Sequence, residues 1–385
     1  MKKRVAVIFG GDSVEHDISI ITGLQTLNAI DKEQYEVIPV YIKDGTMFFG
    51  QSLAAIEAYI GFRAYRHKKG FFRASKLFRH ILGLALPYGK IDCALLCTHG
   101  GNGENGVLQG YLAYCGIPFT SPQVFQSALF MDKAYTKQMA QSIGIACLPW
   151  CTVFKNKFLE NPEAAIAEIL AKLAYPIIIK PCMLGSSIGI SRAKNDKELA
   201  DALELAFMFG SKAIAEPALE QFREINIALF KSAEGEVILS DLEEPLPSQN
   251  FLSFNDKYMS GSKGMADCKR QCPAKVTKTI ANTITDFSSL LYNTLDCVGV
   301  IRIDYLLAKG QVYLNEVNAI PGSLAFYLFS GKNISHSELI ENLISATVKI
   351  NAEQDCLIKK FNTSVLEHLS GKGEPNIKLP PLSST

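Results

Sequence analysis

One stretch near the carboxyl end, GVIRIDYLLAKGQVYLNEVNAIPG, constrains the fold more than any other. Two apolar runs flank a Lys-Gly pair, which predicts two antiparallel strands joined by a tight turn. Arg302 and Asp304 lie two residues apart on the first strand and therefore share a face. Glu316 and Asn318 share a face of the second strand in the same way. If Asp304 pairs with Glu316, all four side chains meet on one surface.

That pairing has a geometric requirement. A strictly two-residue turn would place Asp304 opposite Asn315 and put Glu316 on the other face, so the shared surface requires an odd-length loop or a bulge. With it, two carboxylates and an amide oxygen offer hard ligands for Mg²⁺ that also holds substrate phosphates, and Arg302 suits an anionic group. The alternative is a half-buried hairpin whose polar residues face solvent, and the hairpin alone does not decide between the two.

Composition bounds the class of protein. The chain has 385 residues, 48% hydrophobic and 20% charged, which suits a globular protein of two or three domains. A formal net charge of +1 gives no general attraction to nucleic acid or membranes. The basic start and short apolar run that ends in glycines predict a first strand rather than a signal peptide, and we expect a cytoplasmic protein without membrane spans. The ten cysteines are predicted to be reduced core thiols rather than disulfides or zinc ligands.

The amino-terminal part reads as strand, glycine turn and helix. Residues 4–11 form the strand, and a helix is expected to begin near His16. Glu15 at that helix start either caps the helix or holds a substrate ammonium. A second strand is predicted at residues 35–42, and a further buried strand, residues 91–98, ends in the glycine-rich run HGGNGENG, the place where open α/β sheets bind ligands. His99 there either orients a substrate carboxylate or is a structural hydrogen-bonding group.

The chain changes character near residue 125, where we predict a domain boundary. Lys180 ends an apolar strand and is followed by the small-residue turn GSSIG at 185–189, which predicts a loop that closes over phosphates. This is not a P-loop, because the Gly-Lys-Ser sequence and the following helix are absent. The linker that follows Glu216 is suited to read an adenine edge, and Glu224 is suited to accept from ribose hydroxyls, although either glutamate alone is as readily a solvated charge.

Three segments are assigned by composition. The irregular stretch 245–264 has the length of a lid. The insertion 61–80 is rich in lysine and arginine and is either an anionic-surface patch or a solvated excursion. The end of the chain turns polar and proline-rich and is predicted to be a partly disordered extension.

Taken together, the motifs resemble the D-alanine:D-alanine ligase family. They follow that family's order from residue 4 to about 345: GGDSVE at 10–15, HGGNGENG at 99–106, Met131-Asp-Lys133, Lys180-Pro with GSSIG, Lys257-Tyr258, Arg302-Ile-Asp304 and Asn315-Glu-Val-Asn318 with Pro321-Gly322. Any one of these motifs is weak, but the collinear set is specific.

The resemblance implies an α/β protein with the ATP-grasp fold. It would have an amino-terminal open parallel α/β domain that binds substrate, a central lid domain and a carboxyl-terminal antiparallel-sheet domain with the metal site. The corresponding boundaries are 1–125, 126–219, 220–350 and a terminal extension 351–385. The implied activity joins two D-alanine molecules through an acyl phosphate, for peptidoglycan precursor synthesis, and releases ADP and phosphate.

The resemblance also implies residue roles. ATP would be bound by Lys133, Lys180, Glu216, Leu219, Glu224 and Lys257. Two Mg²⁺ ions, or Mn²⁺, would be held by Asp304, Glu316 and Asn318. The first D-alanine's ammonium would be taken by Glu15 in a hydrogen-bonded set with Ser186 and Tyr258. Arg302 and the Gly322 backbone would stabilise the tetrahedral intermediate and the second amino acid.

The sequence departs from the family pattern after Pro321-Gly322. The family usually has a serine for the second amino acid's carboxylate at the position where this chain has Tyr327. Two alternatives therefore stay open: a related ligase with another acceptor amino acid, and a nucleotide-binding regulatory protein without catalysis. We expect small-molecule partners and neither nucleic acid nor membrane, and leave a homodimer open.

Overall fold

The structure is a computed structural model, and it describes residues 2–62, 72–74, 90–246 and 270–358, with the backbone alone at 72–74. Lys257 and Tyr258, most of the basic insertion and the end of the chain lie outside these ranges. The chain divides into two compact units between Val348 and Lys349. The domain boundaries expected from the sequence, at 125, 219 and 350, stay predictions.

The amino-terminal sheet has five strands in the order β4-β3-β2-β1-β5. These are β1 (Lys3–Gly10), β2 (Tyr35–Lys43), β3 (Thr46–Phe49), β4 (Phe72–Ala74) and β5 (Cys93–Leu96). β1 runs parallel to both β2 and β5, as predicted. The open parallel sheet was nevertheless too simple a prediction, because β3 and β4 add an antiparallel edge. Its cause is the Asp44-Gly45 pair, whose φ angles of 47° and 62° form a hairpin turn.

Five described helices of the chain up to Ser142 pack near this sheet or against Gln311–Asn318 of the carboxyl-terminal sheet. They are α1 (His16–Ala29), α2 (Gly101–Glu104), α3 (Val107–Tyr114), α4 (Val124–Met131) and α5 (Lys133–Ser142). α1 begins at His16, as the sequence predicted. The Asp132 carboxylate caps α5 by accepting from the backbone N–H groups of Ala134 and Tyr135. This cap sets the start of the helix and thereby the place of Lys133.

The central sheet is antiparallel, with strands in the order β6-β9-β7-β8. They are β6 (Cys151–Phe154), β7 (Ile177–Pro181), β8 (Ser191–Ala193) and β9 (Lys212–Pro217), with helices α6 (Lys155–Glu160), α7 (Pro162–Leu170) and α8 (Asp196–Phe207). The predicted hairpin between Lys180 and the strand after Gly189 is confirmed as β7 and β8. Their connection carries Ser186 and Ser187, with φ angles of 56° and 58° in the left-handed region.

The carboxyl-terminal sheet is also antiparallel, in the order β11-β10-β14-β15. It contains β10 (Arg223–Lys231), β11 (Val237–Leu239), β14 (Ile301–Ala308) and β15 (Gln311–Asn318), beside the short pair β12 (Glu244–Pro245) and β13 (Arg270–Gln271). The helix α9 (Lys278–Thr294), a 3₁₀ segment (Gly322–Lys332) and α10 (His336–Asp355) complete the described chain. Among the described helices, none has the length and apolarity needed to cross a bilayer.

The register of β14 and β15 confirms the pairing expected from the sequence. Asp304 pairs with Glu316 and Arg302 pairs with Asn318. The turn itself has two residues, since Ala308 pairs with Gln311, and the register shifts between Asp304 and Tyr305. The extra residue is on β15, so a bulge and not an odd-length loop keeps Glu316 on the shared face.

The cysteines of the described chain are free thiols. Six are buried, at 93, 97, 147, 151, 182 and 297. Burial raises the pKa of Cys97 to about 12, and that of Cys182 likewise, so these thiols stay protonated and behave as small apolar groups. The prediction of reduced core thiols is confirmed for these six.

Candidate active site

A cavity of about 370 Å³ lies between the central and carboxyl-terminal sheets. Its wall combines the β7–β8 hairpin, the linker that follows β9 and the start of β10 with one end of β15. The sequence-predicted nucleotide residues that line it are Lys133, Lys180, Glu216, Leu219 and Glu224, and the predicted metal ligand Glu316 lines it as well. A cavity of this size, with apolar walls and a few charged groups, is suited to a nucleotide.

Two lysines converge on the carboxylate of Glu216 in the wall of this cavity. Lys137 Nζ and Lys180 Nζ each lie 2.6 Å from a Glu216 oxygen. Burial alone would raise the pKa of Glu216, but the two lysines lower it to about 2. Lys180 also donates to Asn315 Oδ1 at 3.1 Å, so its ammonium is held against strand β15. The Glu216 side chain therefore holds lysines in place, and a contact of its backbone with adenine stays a prediction.

Lys133 connects the β7–β8 loop to the β14–β15 hairpin. Its Nζ donates to the carbonyl oxygen of Leu184 at 2.8 Å and lies 3.3 Å from Glu316 Oε2. Because Lys133 follows the helix cap Asp132 directly, its position depends on that cap. The Lys133 ammonium thus lies between the β7–β8 loop and Glu316. The predicted phosphate contact requires a positive charge of this kind.

Three of the four polar residues of the hairpin form one hydrogen-bonded set, and the fourth, Glu316, pairs with Lys133. Arg302 donates two hydrogen bonds of 2.7 Å to the carboxylate of Asp304. Burial opposes the charge of Arg302, but Asp304 outweighs it and raises the arginine's pKa. Asn318 Nδ2 donates to Asp304 Oδ2 at 3.1 Å. The face predicted from the sequence is therefore present, with Arg302 paired to one of the predicted metal ligands.

The donor set fits a hard divalent cation by its chemistry. Asp304 and Glu316 supply carboxylate oxygens and Asn318 an amide oxygen, and the half-buried Glu316 faces the cavity. In the described ranges no cluster of three or more His, Cys, Asp or Glu side chains could hold a metal ion. The predicted set is not such a cluster, because one of its three members is an amide, and its metal role stays a prediction.

A second, smaller cavity of about 60 Å³ adjoins the first. Glu15, His99, Arg302, Asn318 and Gly322 are among its lining residues. Lys133, Leu184, Gly185 and Glu316 line both cavities, so the two share a wall. The structure thus brings the predicted phosphate-binding and amino-acid-binding residues side by side.

Glu15 reaches into the small cavity from the start of α1. The Ser186 hydroxyl donates to Glu15 Oε1, so two members of the predicted three-residue set are in contact. A Cβ atom at Gly100 would lie 2.7 Å from Glu15 Oε2, and one at Gly185 would lie 2.8 Å from it. A Cβ atom at either position would displace the Glu15 carboxylate, so glycine at both positions gives this side chain room.

Both ring nitrogens of His99 form hydrogen bonds within the protein. Nδ1 lies 2.8 Å from the carbonyl oxygen of Ile320 and Nε2 lies 2.7 Å from Thr22 Oγ1. Burial lowers the pKa of His99 to about 4, so the imidazole is neutral. The structural alternative raised for this residue is therefore present in the structure, and its contact with a substrate carboxylate stays a prediction.

Tyr327 lies on the 3₁₀ segment but not in the wall of the small cavity. The Arg270 guanidinium lies over its ring, 4.1 Å from the centroid, and Arg270 pairs with Glu243 at 2.9 Å. The Tyr327 hydroxyl is buried without a hydrogen-bond partner in the described chain. Burial and the Glu243 charge raise its pKa. A role in binding the second amino acid stays a prediction.

Sequence reasoning missed two buried charged groups of the site. Lys137 was only one of several residues on a helix, and nothing local shows that it reaches Glu216. Glu104 is buried, and burial together with the Glu15 charge raises its pKa to about 7. Its position inside the glycine-rich run at the end of a buried strand was a usable signal.

Two antiparallel sheets enclose the large, lysine-lined cavity, and the small cavity with the Glu15 carboxylate lies next to it. This arrangement defines the ATP-grasp class of ligases. Two family models match the chain: the amino-terminal domain of D-ala D-ala ligase at residues 4–122 and its carboxyl-terminal domain at 139–345. The chain belongs to the D-alanine–D-alanine ligase family, and it is an ATP-dependent carboxylate–amine ligase.

Individual relatives agree with the family models. The D-alanine–D-alanine ligase of Thermosipho africanus is 34% identical over 94% of this chain and 98% of its own. The solved structure of the D-Ala:D-Ser ligase VanG from Enterococcus faecalis is similar with a TM-score of 0.72 and 28% identity, over 90% of this chain and 100% of that one. The structure of the Coxiella burnetii D-alanine–D-alanine ligase has a TM-score of 0.77 at 21% identity, over 96% and 99%, which supports the fold alone.

Proposed function

We propose that this protein joins two D-alanine molecules to D-alanyl-D-alanine at the expense of ATP, for peptidoglycan precursor synthesis. The observation that carries the proposal is the shared wall of the two cavities. Lys133 and Glu316 face both the nucleotide cavity and the pocket that contains Glu15. A γ-phosphate held at this wall would lie next to an amino acid whose ammonium is held by Glu15.

The reaction follows from that neighbourhood. A carboxylate is a poor acyl donor, so an oxygen of the first D-alanine attacks the γ-phosphorus of ATP and ADP leaves. The amine of the second D-alanine then attacks the acyl carbon, loses a proton, and phosphate leaves. Lys133 and Lys180 would hold the phosphates. Arg302 and the Gly322 backbone, both in the wall of the small cavity, would face the negative charge on the tetrahedral intermediate.

The remaining roles are proposed on the same basis. Glu216, Leu219 and Glu224 would surround the base and ribose, since all three line the large cavity. Mg²⁺, or Mn²⁺ in its place, would be held by Asp304, Glu316 and Asn318 and would neutralise phosphate charge. Ser186 would act with Glu15, to which it is bonded. Lys257 and Tyr258 lie outside the described residues, and their roles rest on the family motif.

Because the reaction consumes ATP, we propose a cytoplasmic location, and a homodimer stays a prediction.

The test is product analysis with a panel of amino acids. The purified full chain is incubated with ATP, Mg²⁺ and single D- or L-amino acids, then with pairs, while ADP and dipeptide are measured. We expect D-alanine alone to give one D-alanyl-D-alanine per ADP. ADP release only with D-alanine plus a different amino acid would replace the proposal by a ligase with another acceptor. The absence of ADP release throughout the panel would leave the nucleotide-binding regulatory protein.

A further inference from the structure

The segment after Gly322 has an unusual backbone. Ser323, Leu324 and Ala325 have φ angles of 54°, 51° and 53°, the left-handed region that L-residues with a Cβ atom disfavour. All three are buried. Three consecutive residues in this conformation persist only where the surrounding structure determines it. The contacts around this left-handed turn, residues 323–325, therefore show what holds it.

Three side chains of the amino-terminal part bond to backbone groups on either side of Gly322. His99 Nδ1 lies 2.8 Å from the carbonyl oxygen of Ile320. Glu104 Oε1 accepts from the N–H of Ile320 at 2.9 Å. Thr22 Oγ1 accepts from the N–H of Ser323 at 3.0 Å. Both backbone groups of Ile320 and the N–H of Ser323 are thus fixed by residues more than 200 positions earlier in the chain.

The hydrogens in this set have a single consistent arrangement. The imidazole of His99 is neutral, and a carbonyl oxygen can only accept, so Nδ1 carries the hydrogen that bonds to Ile320. Nε2 then accepts from the Thr22 hydroxyl at 2.7 Å. The Thr22 oxygen in turn accepts from Ser323, so each bond fixes the direction of the next. Replacing one member disturbs the others.

Glu104 links the turn to the glycine-rich run. While Oε1 accepts from Ile320, Oε2 accepts from the N–H of Gly100 at 2.9 Å. Gly100 in turn lies against the Glu15 carboxylate, where a Cβ atom would come within 2.7 Å. The carboxylate of Glu104 therefore spans the distance between the backbone beside Glu15 and the backbone beside Gly322.

We propose that Thr22 and Glu104 are positioning residues, which act through backbone hydrogen bonds to fix Gly322 relative to Glu15 across the small cavity. The inference rests on the proposed function in one respect, namely that the Gly322 backbone faces the tetrahedral intermediate. Neither residue needs to touch substrate. Both act before the chemical step, because they hold the Gly322 backbone at a fixed distance from Glu15, which binds the first amino acid.

The test compares two threonines of α1 that are alike in all but their partner. Thr22→Val removes the hydrogen bonds to Ser323 and His99, whereas Thr26→Val removes an equally buried hydroxyl, which accepts from the Cys97 thiol at 3.3 Å. We expect Thr22→Val to lower kcat about tenfold, the effect of one or two neutral hydrogen bonds, with an unchanged KM for ATP. Thr26→Val should leave kcat within about twofold, and Thr22→Ser should restore it.

Glu104→Gln provides a second variant of unchanged shape. Its amide oxygen can accept from only one of the two N–H groups, and we expect the same loss of kcat with an unchanged KM for ATP. Hydrogen exchange of residues 319–326 gives a readout that does not depend on activity. Exchange there should be faster in Thr22→Val and Glu104→Gln than in wild type and Thr26→Val.

The outcomes separate this inference from the proposed function. A wild-type protein that makes no D-alanyl-D-alanine contradicts the proposed function, and hydrogen exchange then decides the inference. Unchanged exchange in both variants overturns it, as does a kcat within twofold of wild type in both. An equal loss of kcat in Thr26→Val would show a general effect of the helix core and would also overturn it.

Discussion

The two cavities each contain a buried glutamate, and the pKa values of the two shift in opposite directions. Glu216, in the nucleotide cavity, meets the ammonium groups of Lys137 and Lys180, and its pKa falls to about 2. Glu104, in the small cavity, meets backbone N–H groups and the charge of Glu15, and burial raises its pKa to about 7. The comparison teaches that opposite charges offset the cost of burying a carboxylate, whereas two backbone dipoles do so only in part.

The wall that both cavities share gives the largest expected effect. We expect Glu316→Gln to lower kcat by roughly a thousandfold, because a neutral amide removes a carboxylate ligand and the partner of Lys133. Turnover is measured as ADP release with D-alanine. Glu236→Gln, at an exposed position of the carboxyl-terminal domain, is the matched control. Retained turnover in Glu316→Gln would contradict the metal assignment.

The lysine-bound glutamate should matter most for stability. Glu216→Gln leaves Lys137, which is 1% exposed, without its carboxylate partner, and we expect a loss of about 3 kcal/mol in the free energy of unfolding. The KM for ATP should also rise, because Lys180 loses the group that orients it. Denaturant unfolding and ATP titrations measure the two effects. Glu204→Gln, exposed on α8 of the same domain, should change neither.

Glu104→Gln should have a smaller effect on stability. The variant keeps one of two backbone hydrogen bonds, and we expect a change in unfolding free energy of about 1 kcal/mol or less. Denaturant unfolding at pH 7 measures it. A loss as large as that of Glu216→Gln would show that the two carboxylates do not differ in the way that their partners indicate.

The pH dependence of stability sharpens the comparison further. The folded pKa of Glu216 lies below its ordinary value of 4.5, so its stabilising contribution is present above pH 4.5 and is lost as the pH falls toward 2. The folded pKa of Glu104 lies above 4.5, so its contribution decreases as the pH rises from 4.5 to about 7. The difference in unfolding free energy between wild type and Glu216→Gln should therefore rise with pH between about 2 and 4.5. The difference between wild type and Glu104→Gln should fall with pH between 4.5 and about 7. Slopes of the same sign would contradict the assignment of partners.

Much of the site could be predicted because its residues lie on regular local elements. The alternation of β14 and β15 places Arg302, Asp304, Glu316 and Asn318 on one face, and counting residues predicted that this needs an odd-length loop or a bulge, of which the structure has the bulge. The contact of Glu15 with Ser186 was expected from motif positions and is present. The antiparallel edge of the first sheet was missed because the Asp44-Gly45 turn was not weighed as a hairpin signal.

The motifs in the amino-acid sequence were enough to predict the family and the charged residues that one strand or one turn presents together. These features depend on spacing along a few residues, which periodicity records directly. The contact of Lys137 with Glu216, and the hydrogen bonds from Thr22, His99 and Glu104 to the backbone around Gly322, became visible in the folded chain. Each of these contacts joins distant parts of the chain, and their burial and bonding arise only when packed sheets and helices bring the two partners together.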